Sequence, residues 1–99
     1  MDIIEELKAL PFTLEVEQDK DGYFAQVVEF PEEYEQEATE EQTLRALARG
    51  LKGWAGALAD DVDRWRQGRE NELLYLLKIL ASREDELLEC LRNSRRVNS

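Results

Sequence analysis

Two short alternating runs joined by a turn constrain the fold more than any other feature of this chain. Phe12, Leu14 and Val16 alternate with Thr13, Glu15 and Glu17. Successive side chains of a strand point to opposite faces, so this run has one apolar face and one polar face. Residues 19–22 read DKDG, a turn in which Gly22 takes positive φ without steric cost. Residues 23–30 read YFAQVVEF, rich in aromatic and β-branched residues. Tyr23, Ala25 and Val27 share one face of it, and Phe24, Gln26 and Val28 the other. The two runs predict a β-hairpin. Pro31 interrupts the second strand, and a short third strand is expected around residues 34–38, with Tyr34 its one large apolar body. Its acids suit an edge strand, where charge discourages unwanted pairing.

Helical patterns flank the hairpin. Asp2, with Glu5 three positions on, opens a short helix over residues 2–9 that Pro11 ends. Thr39 begins TEEQ, a capping box whose acids also suit the positive end of a helix dipole. Leu44, Leu47, Leu51, Ala55, Leu58 and Val62 then recur at helical spacing, which predicts a helix to about Trp65. Gly50, Gly53 and Gly56 each cost that helix about 1 kcal/mol relative to Ala. Their i, i+3 spacing is read as room for another backbone to approach. Gly68 marks a turn, and Leu73, Leu76, Leu77, Leu80, Leu87, Leu88 and Leu91 form a leucine-rich helix or helix pair, with a break marked by Ser82 and Asp85. Residues after about 93 are polar and expected to fray.

The fold class expected is therefore α+β: a small antiparallel three-stranded sheet packed on a long helix, followed by the leucine-rich helix or helix pair. It divides into a sheet-plus-helix domain over residues 1–66 and a helical segment over 67–99 that packs on it or on a second chain. The paired leucines widen the apolar stripe beyond a two-stranded seam. Leu73, Leu77, Leu80, Leu87 and Leu91 are accordingly the expected oligomer interface of a homodimer or higher assembly. Trp54 and Trp65 are expected in the core or at a subunit interface.

Charge narrows the function. The 99 residues carry a formal net charge of -10, unevenly placed. Residues 1–41 hold 14 acids against 2 lysines, whereas residues 42–99 hold 9 acids against 11 Lys and Arg. The acidic half disfavours nucleic acid as ligand, because phosphate binding needs clustered cations. It suits a basic protein partner, whose complementary field speeds association. The acids of the turn and third strand, Asp19, Asp21, Glu32, Glu33, Glu35 and Glu37, are the expected partner-binding residues.

Chemistry is sparse. There is no histidine, which removes the commonest general base and metal ligand, and the single Cys90 rules out an intramolecular disulfide. Within LLECL, Cys90 reads as a small buried residue. Asp60, Asp61 and Asp63, or Asp19 and Asp21, are the only carboxylate groupings to consider for a cation, and the first lacks the spacing, glycine and terminal Glu of a calcium loop. No phosphate-binding loop or nucleophile motif is present. The reading is of a non-enzyme with no cofactor and no metal. Arg45, Arg49 and Lys52 form one helical stripe, with Arg64, Arg66 and Arg69 beyond it; a solvated face paired with acids such as Glu41 is preferred over a phosphate site. The N-terminus lacks the pattern of a signal peptide and no apolar run approaches a membrane span, so a cytoplasmic location is expected.

Asp19, Asp21, Gly22, Tyr23, Ala25, Val27, Pro31, Thr39, Glu40, Glu41 and Leu44, in this order and spacing, give residues 12–62 a pattern that resembles the HicB-like antitoxin family. The resemblance implies a partial RNase H-like sheet of three or four antiparallel strands on a helix. It also implies a role in masking a small basic mRNA-cleaving toxin of the HicA type. Glu32 and Glu33 stand where such families have Gly and a small residue. The C-terminal third does not resemble the family's DNA-binding domains, so operator binding is not implied. Two other functions fit the same residues: inhibition of a nucleic-acid enzyme by acids that imitate phosphates, and helical assembly through the leucine-rich segment.

Overall fold

The computed structural model of the chain describes residues 2–60 and 70–97. A four-stranded sheet with the order β3-β2-β1-β4 carries helices on one face. In chain order the elements are α1 (Ile3–Ala9), β1 (Thr13–Asp19), β2 (Gly22–Val27), β3 (Phe30–Glu37), α2 (Glu40–Leu58), α3 (Glu70–Ala81), α4 (Glu84–Arg92) and β4 (Arg95–Val97).

The hairpin forms as its alternation requires. Leu14 pairs with Val27 and Val16 with Ala25, which brings the apolar face of β1 onto one face of β2. At the turn the Asp19 carboxylate accepts from the Asp21 N–H at 2.7 Å. Gly22 has φ +133, and a β-carbon there would collide with the Glu37 carbonyl, so only glycine fits.

The third strand is longer than residues 34–38. It starts at Phe30 and runs through Pro31. Its regular ladder with β2 covers only Tyr34–Glu37; Val27 pairs with Phe30 while the adjacent Gln26 pairs with Tyr34, so residues 31–33 have no register partner on β2. Pro31 is tolerated because it lies in this irregular stretch of an edge strand.

A fourth strand replaces the expected fraying after residue 93. Arg95, Arg96 and Val97 pair with Thr13, Leu14 and Glu15, and the pairing is parallel, so the sheet is mixed rather than antiparallel throughout. The crossover from β3 passes through the helical layer to the opposite edge. Arg96 reaches Glu40 and Arg92 reaches Glu41, which ties the C-terminal segment to the first turn of α2.

Thr39 caps α2 through its hydroxyl, which accepts from the Gln42 N–H at 3.1 Å. Leu44, Leu47, Leu51, Ala55 and Leu58 are buried on the sheet together with Leu14, Ala25, Val27 and Phe30. Trp54 meets Phe30 edge-on with centroids 4.2 Å apart, so it is a core side chain. The expected stretch from residue 61 to Trp65 lies outside the described residues.

The break near residue 82 is present, but Ser82 does not cap α4. Its hydroxyl donates back to the Lys78 carbonyl, and the Glu86 carboxylate accepts instead from the Arg83 N–H at 2.9 Å. Of the segment set apart as residues 67–99, the described residues 70–97 pack back on the rest: α3 on α1 and α2, α4 on α2, and β4 on β1. Two lysines fasten this layer. Lys52 donates to the carbonyls of Ile79 and Ser82 at 3.2 and 2.6 Å, satisfying the end of α3. Lys78, buried beneath the Phe12 ring, reaches the Lys8 carbonyl at the end of α1.

Candidate functional site

The acids named from the sequence do not form one cluster. They border β3, one of the two edge strands of the sheet. Asp19 and Asp21 sit at the hairpin tip beside the Glu37 end of the strand, because Gly22 leads directly into the Tyr23–Glu37 pair. Glu32 stands on the irregular stretch near the other end, and both Glu32 and Glu37 are exposed. Asp19 is partly engaged in structure, holding the turn and accepting from the Gln36 amide at 3.3 Å.

Glu33 and Glu35 lie under the sheet toward α2, the side to which Glu37 at the end of the strand also belongs. A β-carbon on Gly50 would meet the Glu33 carboxylate and lie 3.1 Å from Glu35 Oε1. The expected approach of another backbone is seen at none of the three helix glycines: Gly50 gives room to the Glu33 and Glu35 side chains, and Gly53 and Gly56 have no described neighbour within 4 Å. The Glu33 carboxyl is held above the usual carboxylate range, first by burial and then by the hydrogen bond and negative charge of Glu35. Glu37 borders a shallow concavity of about 270 Å³ with Gln42, Arg45, Ala46 and Arg49.

The leucines expected at an oligomer interface separate into two sets. Leu73, Leu77 and Leu80 are exposed along α3, joined by Leu74. Leu87 and Leu91 are fully buried in the chain's own core and have no surface to offer a second copy. Periodicity places such residues on an apolar stripe without identifying what covers it. Near α3, the N-terminal helix contributes Ile3 and Ile4, also exposed; α1 buries none of its residues.

The basic stripe of α2 is engaged with acids and carbonyls. Arg45 pairs with Glu41 and Arg49 with Glu84, while Lys52 caps α3. Arg64, Arg66, Arg69, Trp65, Asp61 and Asp63 lie outside the described residues. Among the described residues no group of three or more His, Cys, Asp or Glu is placed to hold a metal ion, and no helix is long and apolar enough to cross a membrane. Cys90 is half-buried against the core.

Sequence reasoning passed over the outer face of the sheet. There Phe24 and Tyr34 form a ring pair with centroids 5.7 Å apart. Glu17 lies directly across from Phe24, and Gln26 separates Glu15 from Tyr34. The signal was present in the alternation, which puts Phe24, Gln26 and Val28 on one side of β2 and Tyr34 on β3. Alternation alone does not say which of the two faces the helices cover.

No family model and no curated protein matches the chain. A solved structure does. It is a protein from Syntrophomonas wolfei subsp. wolfei, described as the antitoxin part of a proposed toxin/antitoxin system. It is 19% identical, with a TM-score of 0.77, and the match covers 98% of this chain and 68% of that one. The chain thus shares the fold of that protein, and the likeness extends through the C-terminal helices as well as the hairpin and α2.

Proposed function

We propose that the chain is a HicB-like antitoxin that binds and masks a small basic RNA-cleaving toxin, acting by occupancy and carrying no catalysis of its own. The observation that supports this best is an acid-bordered sheet edge in a fold shared with a protein described as an antitoxin part. Residues 1–41 hold 14 acids against 2 lysines, and this field draws in a cationic partner and orients it before contact. The partial RNase H-like sheet belongs to the same reading, as does a dimer formed through the exposed leucines of α3. A chain with no histidine and no described metal-binding cluster neutralises its target by covering it.

The test is co-purification and affinity measurement with the small basic protein encoded beside this chain's gene. Reversing the exposed acids Asp21, Glu32 and Glu37 to Lys is expected to slow association by about tenfold or more at low salt and to flatten its salt dependence. Unchanged association in the triple variant, or RNA cleavage that continues in the complex, refutes the proposal.

A further inference from the structure

We infer that the basic partner is gripped on the face of the sheet opposite α2, with the Phe24–Tyr34 ring pair as the contact centre and Glu15 and Glu17 beside it. This rests on the antitoxin reading for the partner's charge, and it moves the centre of the contact from the strand edge to the sheet face.

The helices pack on the other side. Core residues Leu14, Ala25, Val27 and Phe30 point toward them, and alternation turns Glu15, Glu17, Phe24 and Tyr34 away. Tyr34 is 61% exposed, and Val28 and Val97 are 43% and 41% exposed. Scattered apolar side chains on a surface need no explanation, but two adjoining rings, tilted at 36° to each other, on the sheet face turned away from the core form one apolar patch. Aromatic anchors of this kind concentrate binding energy at interface centres.

The neighbours of the patch select the occupant. In the cross-strand row Glu17–Phe24–Gln36 a carboxylate flanks a ring on the adjacent strand, and in the next row Glu15–Gln26–Tyr34 a carboxylate and a ring lie two strands apart with Gln26 between them. Adjacent strands are spaced by about 4.8 Å, so one cation reaches both a ring face and a carboxylate. That pairing suits a guanidinium, which stacks on aromatic rings and meets carboxylates with a planar fork. A second copy of this chain would oppose acids to acids, and a nucleic acid would oppose phosphates to them. A basic protein presenting Arg or Lys is the occupant that the charge admits.

The test uses two probes, the small basic protein encoded beside this chain's gene and an octa-arginine peptide, each titrated calorimetrically into the full chain. Tyr34→Ala is expected to weaken the basic protein by about 30-fold, as an interface anchor does. Tyr34→Phe should stay within about threefold, because the ring and not the hydroxyl makes the contact. Glu15→Gln with Glu17→Gln should weaken both probes by about fivefold or more and reduce the salt slope. Circular dichroism confirms that each variant is folded. If Tyr34→Ala and the Glu15, Glu17 pair bind like wild type while the edge reversals weaken binding, the face assignment falls and the antitoxin reading stands. If the basic protein does not bind wild-type chain at all, both fall.

Discussion

Replacing Gly53 and Gly56 by Ala should stabilise the protein, and the size of the gain follows from where the two residues sit. Both are exposed within α2, and a β-carbon at either meets no described atom within 4 Å. Gly in a helix interior is about 0.8–1.0 kcal/mol worse than Ala, because more backbone freedom is lost on folding. With no clash to set against it, each substitution should return nearly that amount. For a chain of this size about 1 kcal/mol moves the melting temperature by about 4–8 °C. The two sites share no partner, so the double variant should approach the sum. Thermal melts followed at 222 nm, with urea midpoints as a second measure, test this. Gly22→Ala is the opposing control: its φ of +133 and the Glu37 backbone 3.0 Å from the added carbon should make it clearly destabilising. Failure of both Gly53→Ala and Gly56→Ala to raise stability would refute the reasoning, since it would mean that this half of α2 is not a solvent-facing helix.

Three further outcomes are expected. Lys52→Met should destabilise by about 1–2 kcal/mol in urea unfolding, because the carbonyls that end α3 lose a charged donor; a change below about 0.3 kcal/mol would show that water replaces it freely. Glu33→Gln should raise the melting temperature at pH 7 and leave it nearly unchanged near pH 3. The raised carboxyl binds its proton more tightly in the folded state, so stability is present below the unfolded-state value and is lost as pH rises through the folded one; an equal effect at both pH values would exclude that cause. Leu91→Ala should cost about 2–5 kcal/mol as a core cavity, whereas Leu77→Gln should cost under about 0.5 kcal/mol yet shift sedimentation from dimer to monomer. The dimer on α3 is wrong if sedimentation of Leu77→Gln matches wild type.

The structure shows which parts of this molecule were legible in residue patterns and which were not. Capping chemistry and periodicity are local, and they located α1, the start of α2 and the break between α3 and α4. β2 was ambiguous, since Phe24 and Val28 make its outer face as apolar as Ala25 and Val27 make its inner one. Only pairing with β1 decides the matter, by matching Leu14 and Val16 to Val27 and Ala25. That leaves Phe24 on the side turned away from α2, with Glu17 opposite. β4 carried no pattern to read: all three of its residues are exposed, and it is held by backbone pairing to β1 and by Arg96 at Glu40. The leucines of α4 read as an interface because a stripe has the same period whether its cover is the same chain or another one. In each case the missing information was tertiary, and charge misled for the same reason. Neighbouring residues along β3 alternate sides in the strand, so Glu33 and Glu35 turn beneath the sheet while Tyr34 between them faces out. The residue that interrupts the acidic run is therefore the one that puts a large apolar surface on the face turned away from α2.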